Sequence, residues 1–93
     1  MEAIVNPVKL KILLLLTKKH LDGRLPMEEL KTPVEEALFE ASTNIYNQQV
    51  LVALREYKSR LRRTLNESGL EDDPLEEEEM QAWMRAGFLG LVG

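Results

Sequence analysis

Side chains that could carry out acid–base or nucleophilic chemistry are few in this sequence. His20 is the only histidine, cysteine is absent, and no phosphate-binding glycine loop occurs. His20 follows Lys18 and Lys19 at the end of an apolar segment, where a cation interacts favourably with a helix C-terminus, so we expect a capping role. Adjacent acids such as Glu35 and Glu36 diverge on a helix and cannot form an acid–base pair. The sequence therefore predicts no enzyme activity.

The acidic run between Glu71 and Glu79 is the next candidate for chemistry, since seven of its nine residues are carboxylates. A calcium-binding loop alternates oxygen ligands around a central glycine, and this run contains no glycine. The Glu-x-x-His pairs of di-iron helical bundles do not occur in the sequence either. We therefore expect no metal, no cofactor and no small-molecule substrate.

Charge is strongly separated along the chain. The net charge is −4, but residues 47–68 sum to +3 and residues 69–93 to −6. The acidic segment can fold back onto the basic one, meet the basic segment of a neighbouring subunit, or remain solvated. Exposed ion pairs contribute only about 0.2–1 kcal/mol each, which does not decide between these arrangements. Alternatively, the basic segment contacts nucleic-acid phosphates. The side chains that would do so are Arg55, Lys58, Arg62 and Arg63.

The clearest helix signal lies in this basic segment, between Asn47 and Ser68. Its apolar residues recur at steps of four, three, four and four, which places them on one face of an α-helix. They are Val50, Leu54, Tyr57, Leu61 and Leu65. Gly69 follows, where a left-handed C-terminal cap is favoured. We expect the rest of the chain to pack around this helix.

The first helix is predicted to run from Asn6-Pro7, a capping residue followed by a first-turn proline, to about Leu21. The apolar run from Ile12 to Leu16 is far shorter than the roughly 20 residues that a membrane span requires. No small-residue cleavage site of a secretory signal follows it. A helix this apolar must be covered on two sides, by neighbouring helices or by another copy of the protein. Its expected inner stripe is Val8, Ile12, Leu15 and Leu16, widened by Leu13 and Leu14.

The opening Asn6-Pro-Val-Lys-Leu-Lys-Ile-Leu-Leu-Leu-Leu resembles the first helix of winged-helix transcriptional regulators, and Leu25-Pro-Met-Glu-Glu-Leu resembles their second. The resemblance covers about the first thirty residues and implies DNA binding through a basic recognition helix and a β-hairpin wing. Neither of those elements follows in the sequence, and the overall acidity opposes non-specific DNA binding. A small helical DNA-binding regulator is therefore the alternative function.

The middle of the chain contains two further start and stop signals. A one-turn helix from Pro26 to Leu30 should direct Met27 and Leu30 inward. Thr32-Pro33-Val34-Glu35 is a capping box with proline at the first helical position, so a helix should begin there. Ser42-Thr43-Asn44 consists of weak helix formers, and we expect the chain to break or bend at this point. A single helix from Pro33 to Ser68 is the alternative.

The C-terminal quarter combines acidic and apolar residues. Asp73-Pro74-Leu75-Glu76 predicts a helix from Pro74 to about Ala86, with Gly87 as its stop. The last six residues are too apolar for a solvated tail and too rich in glycine for a helix, so we expect an extended tail. A short apolar segment that contains a tryptophan is typical of an interface anchor. Alternatively, this tail packs on the protein's own helices and completes a four-helix core.

These signals together predict an all-α protein, a small bundle of three to four helices with an extended apolar C-terminal tail. Residues 1–70 would form the helical domain, and residues 71–93 the acidic helix start, docking helix and tail, in the same domain or as an interface arm. The expected function is non-catalytic protein–protein interaction or assembly, as an adaptor or a viral or phage subunit. The protein would act in the cytoplasm or within such a particle, with no membrane, and bind itself or a larger assembly. The residues expected to contact the partner are Leu13, Leu14, Met80, Trp83, Met84, Phe88, Leu89, Leu91 and Val92.

Overall fold

The structure, a computed structural model, describes residues 8–43 and 48–91. Within these two ranges the chain forms four α-helices and no strand, which confirms the prediction of a small all-α bundle. None of these helices is long and apolar enough to cross a membrane. The helices are α1 (Val8–Leu21), α2 (Lys31–Thr43), α3 (Gln48–Leu65) and α4 (Glu77–Trp83), with a 3-10 turn at Met27–Leu30 and a π-helical segment at Met84–Leu89.

Helix α3 lies at the centre of the bundle, as its periodic apolar residues predict. Leu54, Tyr57 and Leu61 are buried, whereas Val50 and Leu65 pack at the edge of the core. α2, α4 and the π-helical segment contact α3, and α1 packs against α2. One hydrophobic core contains buried residues from α1 through to the π-helical segment, so Met80, Met84 and Phe88 belong to the same core as the helices that precede them.

Helix α1 does not present the expected stripe to the core. Its buried residues are Leu10, Leu13, Thr17 and His20. The expected inner residues Val8, Ile12 and Leu15 are instead 42%, 41% and 63% exposed. Leu16, the fourth residue of the expected stripe, packs partly buried against the core. The expectation was wrong for Val8, Ile12 and Leu15 because α1 is apolar on most of its circumference, so spacing alone does not identify the buried face.

The chain between α1 and α2 largely follows the sequence signals. α1 ends at Leu21, and Gly23 adopts the left-handed conformation (φ 79°) that favours glycine. Met27 and Leu30 of the 3-10 turn are buried, as predicted. This turn leads directly into α2, which therefore begins at Lys31, and Thr32 lies in the first turn of α2 and does not cap it.

Helices α2 and α3 are separate and pack against each other, which excludes a single helix over residues 33–68. At the end of α2, Ser42 Oγ donates to Leu38 O (2.8 Å) and Thr43 Oγ1 donates to Phe39 O (3.1 Å). Such side-chain bonds to the helix carbonyls are how serine and threonine compete with the helix backbone. Asn44, the last residue of the predicted break, lies outside the described residues.

Helix α3 ends one turn earlier than Gly69 predicts. Asn66, the first residue after α3, adopts the left-handed conformation (φ 46°), and Asn66 N–H donates to Arg62 O at 2.9 Å. Asparagine tolerates this conformation better than most residues, so it replaces the expected glycine cap. Gly69 (φ 72°) belongs to the turn that follows.

The predicted capping box at residues 73–76 does not start α4, because these residues are bound to the end of α3. Arg63 binds Asp73, and Leu75 N–H donates to Arg63 O at 3.2 Å. α4 begins after Glu76, which forms the capping box with Glu79. The chain then remains helical through Gly87 as far as Leu89, so an extended tail is not formed over these residues.

Candidate functional site

Most of the side chains expected to bind a partner from the C-terminal segment (residues 71–91) face the protein's own core. Met80, Met84 and Phe88 are fully buried. The Phe88 ring packs edge-on against Tyr57 of α3, with ring centroids 4.8 Å apart and an interplanar angle of 81°. Of the two arrangements the sequence left open for these three side chains, the chain adopts the intramolecular one.

Trp83 lies at the border of this core and is half-buried. Its indole stacks near Phe88 (22°, 6.2 Å) and meets Tyr57 edge-on at 5.5 Å. Arg60 lies over the indole, 5.4 Å from its centroid, and also pairs with Glu56 at 2.6 Å. A Cβ on Gly87 would overlap the indole, so this glycine allows Trp83 to lie against the backbone. The exposed part of Trp83 is therefore held in place by intramolecular contacts.

The remaining expected contact residues differ in their environment. Leu13 is fully buried, and Leu14 and Leu89 are partly buried against the core. Leu91 is 49% exposed, and Val92 lies outside the described residues. Of the expected contact residues in the described part of the C-terminal segment, only Leu91 is thus classed as exposed.

The basic face of α3 is partly neutralised by the acidic segment. Arg62 Nε donates to Glu71 Oε2 at 3.2 Å. Arg63 donates to Asp73 twice at 2.8 Å, from Nε to the backbone oxygen and from a terminal nitrogen to the carboxylate. The acidic segment therefore folds back onto α3, the first of the arrangements weighed from the charge pattern. The described residues also contain no strand that could form a wing.

Two of the four proposed phosphate-binding cations, Arg55 and Lys58, make no ion pair within residues 8–43 and 48–91. They line a groove of about 510 Å³ between α2 and α3, above an apolar floor that includes Leu38 and Leu65. The groove is lined by four basic and three acidic side chains, so its charge favours neither sign strongly. The charged lining residues are Lys31, Glu35, Arg55, Lys58, Arg62, Glu67 and Glu71.

Two of the lining residues of this groove form a short ion pair, in which Lys31 Nζ donates to Glu67 Oε1 at 2.7 Å. The hydrogen bond to Glu67, together with its charge, raises the pKa of Lys31 above that of a free lysine. This keeps Lys31 protonated, which makes it unsuitable as a base. It is a structural pair at the rim of the groove.

His20, the only histidine, is buried. Its Nδ1 lies 2.8 Å from Leu25 O and therefore donates to that carbonyl. Its Nε2 lies 3.3 Å from Gln81 Nε2 and 3.9 Å from a carboxylate oxygen of Glu77. The ring joins α1, the following loop and α4, and both nitrogens are used for this. His20 thus has a structural role, and the expectation that it merely caps α1 was too narrow.

The described residues provide little for catalysis or metal binding. They contain no group of three or more His, Asp or Glu side chains that could hold a metal ion. The other buried polar pair, Thr17 Oγ1 and Tyr57 Oη, is satisfied by a hydrogen bond of 2.6 Å. Burial raises the pKa of Tyr57, so this phenol stays protonated at neutral pH.

An apolar surface lies on the outside of α1, formed by residues that the sequence reasoning had placed on its inner side. We call Val8, Ile12 and Leu15 the outer stripe of α1. They are spaced by four and three residues, opposite the buried Leu10, Leu13 and Thr17, and all three are exposed. No acidic residue occurs in α1. The charged neighbours of the stripe are Lys11, Lys18 and Lys19, all exposed.

Comparison with known proteins yields no relative: no family model, no curated protein and no solved structure matches the chain. The geometry above is therefore the basis for any functional inference.

Proposed function

We propose that this protein is a non-catalytic assembly module that binds another protein through the outer stripe of α1. The observation that carries this proposal is the two-sided apolar character of α1. One side is buried by the protein's own helices, and the opposite side presents Val8, Ile12 and Leu15 to solvent. Single exposed apolar residues are normal on protein surfaces, but apolar residues clustered on one face mark interaction sites.

The polar surroundings of the stripe support the same proposal. Lys11, Lys18 and Lys19 make no ion pair within residues 8–43 and 48–91. An apolar centre with a charged rim is the usual composition of a protein–protein interface. Rim cations that form no ion pair within the described part of the chain favour a partner that supplies carboxylates.

Nucleic-acid binding through α3 receives less support from the geometry. Arg62 and Arg63 would have to give up Glu71 and Asp73 before they could contact phosphates. The cations that would remain available, Arg55 and Lys58, lie in a groove that also contains acids. A protein-binding role for α1 requires no such rearrangement.

The proposal can be tested by site-specific photo-crosslinking in the cells that make the protein. A photoreactive amino acid at position 12 should form an adduct with a second protein molecule, whether identical or different. The matched control carries the same group at position 78, which is exposed on α4. Absence of any protein adduct from position 12, under conditions in which the folded variant is present, would contradict the proposal.

A further inference from the structure

The outer face of α2 also carries an exposed apolar residue, Phe39. Phe39 is 71% exposed and lies opposite the buried Val34, Ala37 and Ala41. A shallow depression of about 400 Å³ adjoins it. Its lining is Lys9, Glu35, Glu36, Phe39, Glu40 and Thr43.

The charge on this face is opposite to the charge around the outer stripe of α1. Three carboxylates and one lysine line the depression. Lys9 already has partners within the chain. Its Nζ lies 3.4 Å from Glu36 Oε1, and its backbone N–H donates to the carboxylate of Glu40. The depression therefore keeps an excess of negative charge beside an exposed phenylalanine. The stripe on α1 combines exposed aliphatic residues with an excess of positive charge.

We propose that the outer stripe of α1 in one copy of this chain docks onto the Phe39 face of α2 in a second copy. This inference rests on the proposed function and specifies the partner of the same surface. Contact between two α1 stripes would bring lysines against lysines, which is repulsive. Contact between α1 and the Phe39 face instead joins apolar groups at the centre and places lysines beside carboxylates.

Such a contact joins two different patches of the same chain. It closes as a dimer if a two-fold axis allows it to be made twice between two copies, and otherwise it is heterologous and propagates as a ring or a filament. In every case each copy needs both patches to extend the assembly. This requirement makes the proposal testable with two single variants.

The experiment compares full-length Ile12→Glu and Phe39→Glu by light scattering coupled to size-exclusion chromatography over a dilution series. The wild type should associate in a concentration-dependent manner. Each variant alone should associate about tenfold or more weakly, since a charge replaces a buried apolar contact. Mixing the two variants should restore a one-to-one complex, because one supplies an intact α1 stripe and the other an intact Phe39 face. Association of the wild type should also weaken with added salt.

Leu70→Glu is the matched control, since Leu70 is 82% exposed in the loop after α3 and should leave association unchanged. Circular dichroism verifies the fold of each variant, and Leu15→Glu replaces Ile12→Glu if the latter is unstable. A monomeric wild type overturns the inference, as does a Phe39→Glu variant that associates like the wild type. If position 12 still crosslinks to a different protein in cells, only this inference fails and the proposed function stands. If position 12 forms no adduct, the proposed function fails as well.

Discussion

The hydrogen bond between Thr17 and Tyr57 ties α1 to the central helix, and its removal should be costly. Both residues are fully buried, and their hydroxyl oxygens lie 2.6 Å apart. Tyr57→Phe removes one hydroxyl and leaves Thr17 Oγ1 without a partner. An unsatisfied buried hydroxyl costs about 1–3 kcal/mol, so we expect this loss in the free energy of unfolding. Thr17→Val should cost a similar amount, because it leaves the phenol of Tyr57 without its partner.

The double variant Thr17→Val/Tyr57→Phe should be close to the wild type, since no unpaired polar group then remains. With each single loss at about 1–3 kcal/mol and the double loss near zero, the coupling energy of the double-mutant cycle is expected to reach about 2–6 kcal/mol. For a domain of this size, each kcal/mol corresponds to a shift in Tm of about 4–8 °C. Thr64→Val is the control, because Thr64 Oγ1 donates only to Arg60 O in its own helix (2.7 Å), and its loss should cost little.

Urea unfolding followed by circular dichroism measures these differences, with an unchanged slope in all four proteins as the check on two-state behaviour. If the double variant lost as much stability as the sum of the two single variants, the two hydroxyls would not be coupled. The placement of Thr17 at the core, and with it the inward face assigned to α1, would then be refuted.

Three further perturbations test other contacts. Above about pH 10 the wild type should lose stability relative to Tyr57→Phe by about 1.4 kcal/mol per pH unit, because burial raises the pKa of Tyr57 and the unfolded phenol loses its proton first. Parallel profiles of unfolding free energy against pH would contradict this. Gly87→Ala should displace the indole of Trp83, the only tryptophan, and shift its fluorescence to longer wavelength, whereas unchanged emission would count against the close packing. Arg63→Ala should cost no more than about 1 kcal/mol but accelerate amide exchange in the segment after Asp73, and unchanged exchange rates would show that this contact does not hold the segment.

The sequence predicts the fold well where the apolar periodicity is clear or where a residue such as glycine marks the end of a helix. In α3 every charged side chain lies outside the apolar stripe, which identifies the face to be buried, and Leu54, Tyr57 and Leu61 of that stripe are buried. The end of α1 is similarly unambiguous, because Gly23 supplies the left-handed residue that the backbone requires.

The parts that the sequence does not predict depend on long-range contacts. α1 offers apolar residues on nearly every side, and Thr17 and His20 become core residues only through Tyr57, Leu25 and Gln81. One local signal could have identified the outward face of α1. Lys19 continues the spacing of Val8, Ile12 and Leu15, and no lysine occurs on the buried face. The start of α4 moves to Glu77 because Asp73 is bound to Arg63, which no local pattern reveals.

The accessibility of position 12 tests most directly whether the outer stripe of α1 is a protein-binding surface. The chain contains no cysteine, so Ile12→Cys provides a single reactive thiol, with Leu70→Cys as the exposed control. In isolated dilute protein, both thiols should react rapidly with a maleimide. In the cells that make the protein, position 12 should become strongly protected while position 70 remains reactive. Equal reactivity of the two positions in the cell would contradict the account.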